Sequence, residues 1–263
     1  MARIIAIANQ KGGVGKTTTS INLAASLSAT RRRTLLIDMD PQGNATTGSG
    51  VSKDEISLTT YNLLLGDATI DQTRLPAGES GYDLVPANAD LTAARVELLD
   101  RQEREFRLRR EIDHARDQYD YILIDCPPAL DMLTVNALVA SQTVLIPTQC
   151  EYYALEGLSD LVETIDSISR SVNPELKLEG VLRTMVDPRN RLTQEVSQQL
   201  CEHFGDRVYR TIIPRNVRLA EAPSFGLPIF AYDRSSKGAT AYLSLAGEFI
   251  RRHGDCAAIT TTQ

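Results

Sequence analysis

Apolar residues in this chain form short uninterrupted runs that alternate with longer stretches of helical periodicity. The runs predict strands at residues 3–8, 34–38, 82–85, 121–125, 143–147, 178–186 and 208–213. Consecutive apolar positions are typical of strands covered by helices on both faces. The periodic stretches predict helices at residues 16–28, 60–65, 91–118, 132–140, 155–171, 192–204 and 238–252. This alternation predicts an α/β fold with a doubly wound, mostly parallel sheet flanked by helices.

The chain carries no internal repeat, low-complexity tract or Pro/Gly-rich linker, so we expect one domain over residues 1–263. Its 42% hydrophobic and 24% charged residues are typical of soluble globular proteins. No apolar run approaches the ~20 residues that cross a bilayer. The run at residues 4–8 is too short for a signal peptide. We therefore expect a cytoplasmic protein.

Cysteine usage indicates neither a disulfide framework nor a zinc site. The four cysteines, Cys126, Cys150, Cys201 and Cys256, are scattered and form no C-x-x-C pair. We interpret them as small buried apolar side chains.

Charge is unevenly distributed along the chain. The net charge of −6 gives no overall basic field that would indicate a nucleic-acid partner. Residues 181–220, however, hold seven arginines and four acidic residues, a net of +3 against −9 for the remainder. This local cluster of arginines raises the possibility of phosphate contacts.

The strongest chemical signal is K-G-G-V-G-K-T-T at residues 11–18, between a predicted strand and a predicted helix. Glycines let successive backbone N–H groups turn inward around an anion and keep side chains out of its path. The N-terminus of the following helix adds its dipole and its unpaired amides. Lys16 supplies a positive charge for phosphates, and the Thr17 hydroxyl can bind Mg²⁺. The pattern therefore predicts a nucleotide site.

Two predicted strands end in aspartates. The strand at residues 34–38 leads into Asp38 and Asp40, and the strand at 121–125 ends in Asp125. In parallel α/β sheets the carboxyl ends of strands line the ligand crevice. One such aspartate is often only a helix cap or a turn former. Because a metal-bound triphosphate needs acids near the metal and the attacking water, we interpret all three as parts of the nucleotide site.

The loop departs from the usual G-x-x-x-x-G-K-[ST] pattern at Gln10. It resembles the deviant Walker A motif of the ParA/MinD group of ATPases, in which glycine is not required there. Residues 38–44, D-M-D-P-Q-G-N, resemble the first switch of that group, and residues 124–128, I-D-C-P-P, resemble its Walker B motif and second switch. The block I-P-R-N-V-R-L-A-E-A-P-S at residues 213–224 resembles chromosomal, Soj-type partition ATPases in particular.

The resemblance implies that the chain binds ATP with Mg²⁺ and hydrolyses ATP. The residues implied in nucleotide binding are Lys11, Gly12, Gly13, Val14, Gly15, Lys16, Thr17, Thr18, Pro214 and Asn216, the last two at the adenine. The residues implied at the metal are Thr17 as a ligand and Asp38 and Asp125 acting through its water shell. The residues implied in catalysis are Lys11, Lys16 and Asp40, of which Asp40 positions or activates the attacking water.

The resemblance also implies an ATP-dependent homodimer. Lys11, the signature lysine of the group, is expected to reach across the interface to the partner's ATP. There it would neutralise transition-state charge as an arginine finger does, an effect of ~10³–10⁵ in rate. Gly12 is expected where the two subunits approach most closely. ATP would thus hold a sandwich dimer together, and hydrolysis would release it.

As a function, the resemblance implies a DNA-segregation ATPase that is cytoplasmic and nucleoid-associated. Its dimer would bind double-stranded DNA without sequence preference, and a ParB-like centromere-binding protein would stimulate hydrolysis. The positions matching DNA-binding arginines are Arg189 and Arg218, both within the basic segment. For each, an ordinary solvated or salt-bridged arginine is the alternative. A symmetric dimer doubles every phosphate contact, which helps a net-acidic chain to bind DNA.

Three other functions of the wider group are alternatives. A membrane-associated division-site regulator needs an amphipathic basic C-terminal helix, and we predict none after residue 250, hence no membrane contact. An iron–sulfur reductase needs two suitably placed cysteines per subunit, and Cys126 has no second cysteine at a suitable spacing. A tyrosine kinase would be expected to end in a tyrosine cluster, and residues 251–263 contain no tyrosine. We also expect no operator-binding domain before the first strand.

Overall fold

The computed structural model describes residues 1–254, apart from the side chain of Glu79. Within this range the strands of a seven-stranded sheet are β1 (Arg3–Ile7), β2 (Thr34–Asp38), β3 (Leu75–Pro76), β4 (Asp83–Val85), β5 (Tyr121–Asp125), β6 (Thr143–Gln149) and β7 (Lys177–Thr184). The helices are α1 (Lys16–Ala29), α2 (Asn44–Gly48), α3 (Thr60–Leu65), α4 (Ile70–Thr73), α5 (Leu91–Glu97), α6 (Arg107–Ala115), α7 (Met132–Ala140), α8 (Ala154–Ser171), α9 (Arg191–Phe204), α10 (Val217–Glu221), α11 (Ile229–Tyr232) and α12 (Lys237–Arg252).

The strand order is β3-β4-β2-β5-β1-β6-β7. Neighbouring strands are parallel, except that the short β3 runs antiparallel to β4. Side chains of successive residues point to opposite faces, so each face has its own hydrophobic core. Helices α1, α2 and α10 to α12 cover one face, and α3 to α9 cover the other. The prediction of a doubly wound, mostly parallel α/β sheet is confirmed.

The register brings the carboxyl ends of three central strands together. Asp125 at the end of β5 lies between Ile7 at the end of β1 and Asp38 at the end of β2. Strands β2 and β5 are buried along their whole length, because helices cover them on both faces. The residues that leave these strand ends are therefore presented at one edge of the sheet.

The helix predicted over residues 91–118 is wrong as a single element. The structure has α5 and α6 separated by short 3₁₀ turns, and Glu103 between them has a left-handed backbone (φ +49°). Asn136 of α7 fills the break: its Nδ2 donates to the carbonyl of Arg104 (2.8 Å), and its Oδ1 accepts from the N–H of Leu108 (3.2 Å). A side chain from a distant helix thus replaces hydrogen bonds that a continuous helix would make.

The strand predicted over residues 208–213 is also wrong. Within this segment, Val208 makes a single isolated parallel bridge, to Val181 of β7, instead of a ladder. The Glu248 carboxylate of α12 accepts hydrogen bonds from the N–H groups of Arg210 and Thr211, each 2.8 Å long. These backbone donors are satisfied by a helix, so the sheet ends at β7.

The buried-cysteine prediction is confirmed for Cys126 and Cys150 and is wrong for Cys201 of α9, which is exposed. Cys256 and the C-terminal tail, residues 255–263, lie outside the described residues. No helix within residues 1–254 combines the length and the apolar character needed to cross a bilayer.

Candidate nucleotide-binding site

The predicted phosphate loop joins β1 to α1 and turns at two glycines. Gly13 and Gly15 have backbone φ angles of +73° and +88°, in the left-handed region that glycine adopts without strain. Gly15 is the N-cap of α1, and no side chain caps the helix there. The first amides of α1 therefore have the arrangement that binds an anion.

Two buried side chains that the sequence did not single out hold this loop in place. Thr184, at the end of β7, donates from Oγ1 to the carbonyl of Val14 (2.8 Å). Asn9 donates from Nδ2 to the carbonyl of Pro147 (2.8 Å), and its Oδ1 accepts from the N–H of Lys11 (2.9 Å). Because these bonds are shielded from water, the loop is preorganised for its ligand.

Lys16, in the first turn of α1, is only 7% exposed. Its Nζ donates to the carbonyl of Lys11 (3.2 Å), which places the ammonium inside the loop. Burial lowers the pKa of Lys16, and the negative charges of Asp125 and Asp40 oppose that shift. An ammonium partly stripped of water in this position is suited to bind phosphate oxygens.

Asp125 is fully buried beside the start of α1. Its carboxylate oxygens accept hydrogen bonds from Thr17 Oγ1 (2.8 Å) and Ser20 Oγ (2.7 Å). Burial raises the pKa of the Asp125 carboxyl, and the negative charge of Asp38 on the adjacent strand raises it further. The hydrogen bond from Thr17 to this carboxylate orients the Thr17 hydroxyl. No sequence pattern indicated the contact with Ser20.

Asp38 is fully buried and anchors the predicted first switch. Its Oδ2 accepts from the N–H (2.8 Å) and the hydroxyl (2.7 Å) of Thr46, and its Oδ1 accepts from the N–H of Asp40 (3.1 Å). The Thr46 hydroxyl accepts in turn from the N–H of Ala87 (2.8 Å). Burial raises the pKa of Asp38, and these hydrogen bonds oppose the shift. Thr46 was not identified from the sequence.

A cleft of about 630 Å³ lies at this edge of the sheet. Its lining consists of Gly12, Gly13, Gly15, Lys16, Thr17, Thr18, Asp40, Pro41, Gln42, Asn44, Thr92, Arg95, Pro128, Ala129 and Met185. Asp40 accepts from the N–H of Gln42 through Oδ1 (2.9 Å). It shares the cleft with the phosphate loop, so its carboxylate can orient a water at a phosphate. Asp38, Asp125, Val14 and Lys11 are not part of the lining.

The oxygen donors beside the cleft suit Mg²⁺. Among residues 1–254, no group of three or more His, Cys, Asp and Glu side chains is arranged to hold a metal ion by itself. Mg²⁺ in nucleotide sites needs few protein ligands, because it keeps waters and takes phosphate oxygens. The Thr17 hydroxyl and the carboxylates of Asp38 and Asp125 are hard oxygen donors of the kind this ion prefers. With nucleotide bound, the Thr17 hydroxyl would ligate the ion, and Asp38 and Asp125 would accept hydrogen bonds from waters bound to it.

A second cleft, of about 320 Å³ and largely apolar, adjoins the first. The residues shared by the two clefts are Gly15, Thr18 and Met185. Pro214 and Asn216 line the second cleft, and Asn216 also caps α10 by accepting from the N–H of Leu219 (3.3 Å). A polar cleft continuous with an apolar one suits the phosphates and the base of a nucleotide.

Lys11, Arg189 and Arg218 are absent from the lining of both clefts, and each forms an ion pair with a carboxylate. Lys11 forms an ion pair with Glu151, which precedes α8, and both side chains are about half exposed. Arg189 pairs with Asp187 through two hydrogen bonds (3.0 and 2.8 Å). Arg218 of α10 donates to Glu221 (2.8 Å), and its Nε lies 3.7 Å from Oδ2 of a second carboxylate, Asp233.

The chain is similar over nearly its whole length to proteins of known family. The family described as an AAA domain matches residues 2–178. The chromosome partitioning protein ParA of Myxococcus xanthus is 54% identical over 96% of this chain and 89% of that protein. The sporulation initiation inhibitor protein Soj of Bacillus subtilis is 50% identical over 94% of this chain and 98% of that protein. The chain belongs to the ParA/Soj family of chromosome-partitioning ATPases.

A solved structure supports the same assignment of fold. Cobyrinic acid a,c-diamide synthase from Mycobacterium smegmatis, with bound ADP and magnesium, superposes with a TM-score of 0.85 at 36% identity, covering 98% of this chain and 97% of that chain. The ParA/Soj resemblance drawn from the loop and from residues 213–224 is thus confirmed. As a member of the ParA/Soj family, the chain is a P-loop ATPase.

Proposed function

We propose that this ATPase is a DNA-segregation switch. ATP binding drives two copies into a sandwich dimer, the dimer binds double-stranded DNA without sequence preference, and hydrolysis releases it. A ParB-like centromere-binding protein stimulates the hydrolysis. The chain acts as a single domain over residues 1–263, in the cytoplasm and on the nucleoid, without membrane contact.

The convergence of the phosphate loop with Asp40 on one cleft is the observation that carries this proposal. In it, Lys16 and the loop amides hold the phosphates of ATP, and Thr17 ligates Mg²⁺. Asp38 and Asp125 act through the water shell of the metal, and Asp40 positions the attacking water. The identity to the two partition proteins is higher than that to the synthase, which favours partition over biosynthesis.

The dimer is supported by the surface beside the loop. Lys11 turns away from the cleft of its own chain to an exposed ion pair, so it is free to exchange Glu151 for the ATP of a partner. Tyr152 and Tyr153 follow directly, are 76% and 69% exposed, and contact each other edge to face. Exposed aromatic pairs are typical of surfaces that a protein partner covers.

DNA binding is supported by the basic segment. Arg189 and Arg218 are paired with carboxylates, but ion pairs this exposed to water contribute little to stability. Both arginines can therefore exchange a carboxylate for a DNA phosphate at little cost. Counterion release from the DNA then supplies the binding free energy, and a dimer doubles it.

The test is binding of a non-specific duplex with ATP, with ADP and without nucleotide, across a salt series. We expect binding only with ATP and a steep loss of affinity with salt. Lys16→Ala, which should not bind ATP, is the control and should not bind DNA. Hydrolysis without DNA binding under any condition would leave the ATPase intact and contradict the partition role.

A further inference from the structure

Arg95 is a cation of the nucleotide cleft that no sequence pattern assigns. It lies on α5, and it lines the cleft together with Thr92, one turn before it. Among the side chains that line the cleft, Lys16 and Arg95 are the positively charged ones. Lys16 sits within the phosphate loop, so Arg95 brings a second positive charge to the cleft from a different element.

The partner of Arg95 is Asp131. Arg95 Nε lies 2.7 Å from Asp131 Oδ2. Both atoms are buried, yet neither makes a properly directed hydrogen bond within residues 1–254. Attraction between the two charges therefore holds the pair without the directional bond that a guanidinium usually makes with a carboxylate. Such a partner can be displaced by an anion that meets the guanidinium in better geometry.

The motif at residues 124–128 continues into a loop that ends at Asp131, and we call this loop, residues 126–131, the second switch. The other carboxylate oxygen of Asp131, Oδ1, caps α7 by accepting from the N–H groups of Leu133 (3.0 Å) and Thr134 (3.3 Å). The segment that it ends, residues 126–131, follows the Walker B strand and contributes two residues to the cleft lining. The pair therefore ties α5 to the second switch beside the place where phosphates would bind.

The cleft around Arg95 holds more negative than positive charge. Three carboxylates, those of Asp38, Asp40 and Asp125, lie in or beneath the cleft, against the single ammonium of Lys16. A terminal phosphate adds further negative charge, which Mg²⁺ and Lys16 only partly offset. A guanidinium binds phosphate oxygens through two parallel N–H donors and suits this task better than an ammonium.

We propose that Arg95 exchanges Asp131 for the terminal phosphate of ATP. The exchange gives the cleft a preference for ATP over ADP, which lacks that phosphate, and it releases the second switch from α5. This inference rests on the proposed function, because it takes ATP to bind in this cleft.

The first test is the affinity of the isolated protein for N-methylanthraniloyl-labelled ATP and ADP with Mg²⁺. Arg95→Gln should weaken ATP binding about tenfold, the loss of one charge-assisted contact, and change ADP binding less than about twofold. Arg95→Lys should restore part of the preference. Arg101→Gln, an exposed arginine outside the cleft, is the matched control and should change neither affinity.

Asp131→Asn tests the exchange itself. Asparagine caps a helix as well as aspartate does, so α7 keeps its N-terminus, while the competing charge is removed. We expect this variant to bind ATP more tightly than the wild type. Amide hydrogen exchange over residues 126–131 should rise on adding ATP to the wild type, and should already be high in Asp131→Asn without nucleotide.

The outcomes separate the two proposals. A wild type that prefers ATP, with an unchanged ATP-to-ADP ratio in Arg95→Gln, overturns the role of Arg95 and leaves the proposed function standing. Unchanged ATP affinity and unchanged exchange in Asp131→Asn overturn it as well, even if Arg95→Gln fails to fold. A wild type that binds neither nucleotide overturns the proposed function and this inference together.

Discussion

At the scale of single residues, the candidate site has a lining that meets the nucleotide and buried groups beneath that hold the lining in place. Asp40 and Lys16 belong to the lining, whereas Asp38, Asp125 and Thr46 are buried. Thr46 donates to Asp38, and Asp125 accepts from Thr17 and Ser20. A change in the lining should alter chemistry with little effect on folding. A change beneath it should lower the free energy of unfolding, because it leaves a buried polar group without a partner.

Asp40→Ala should separate binding from hydrolysis. The carboxylate of Asp40 bonds within its own turn, to the N–H of Gln42, so its removal should cost little stability. We expect the variant to bind ATP and dimerise, and to hydrolyse ATP at least ~10²-fold more slowly, because the attacking water is no longer positioned. Single-turnover hydrolysis with saturating ATP measures this. Normal turnover would show that another group positions the water.

Gly12→Val should separate nucleotide binding from dimerisation. A Cβ at Gly12 meets no atom within 4 Å in the single chain, so the fold should accept a side chain there. At a close dimer interface the same side chain would clash. We expect Gly12→Val to bind ATP as a monomer, measured by sedimentation with ATP. An ATP-dependent dimer of this variant would place Gly12 outside the interface.

At the scale of elements, a buried hydroxyl helps to tie the helix that follows the first switch to the sheet. Thr46, in α2, donates to Asp38 and accepts from the N–H of Ala87, so it connects the ends of β2 and β4. Thr47, its neighbour, is exposed and bonds within its own helix. The two threonines therefore form a matched pair for testing the anchor.

Thr46→Val removes the hydroxyl without changing the shape of the side chain. It leaves the buried Asp38 carboxylate with one donor fewer and the N–H of Ala87 without an acceptor. We expect a loss of about 2–4 kcal/mol in the free energy of unfolding. Thr47→Val should stay within about 0.5 kcal/mol of the wild type. Urea unfolding measures both, and equal losses would contradict the anchoring role.

Elements also show how far local pattern carries. The strands that enter the site were predicted within one or two residues, because apolar runs covered on both faces are unmistakable. The break between α5 and α6 was missed because Asn136, distant in sequence, supplies its hydrogen bonds. The segment at 208–213 was wrongly predicted as a strand for the same kind of reason. The Glu248 carboxylate, which is distant in sequence, accepts hydrogen bonds from its N–H groups, and no local pattern indicates this.

At the scale of the whole molecule, the acidic chain concentrates its excess positive charge in residues 181–220. Arg218, within that segment, lies on α10, on the same face of the sheet as α1 and α12. α5 and α6 lie on the opposite face. The same Arg→Glu substitution can therefore be made on either face, and the two variants have the same net charge.

Arg218→Glu should abolish DNA binding and preserve ATP-driven dimerisation. The matched control is Arg101→Glu, with the same charge change in the turn between α5 and α6, on the other face of the sheet. We expect the control to bind DNA nearly as the wild type does, measured by fluorescence anisotropy at physiological salt. Retained binding by Arg218→Glu would exclude Arg218 from the DNA contact.

The sequence by itself determined the α/β fold, the phosphate loop and the three aspartates. These features are local: glycines permit the left-handed turns at Gly13 and Gly15, and the residue that follows an apolar strand must lie at the edge of the sheet. Only the tertiary structure decided which polar groups meet. Ser20 with Asp125, Thr184 with Val14 and Arg95 with Asp131 are pairs joined across separate elements. Such contacts leave no periodicity in the chain, because they depend on where packing places two distant segments and on the need of every buried polar group for a partner.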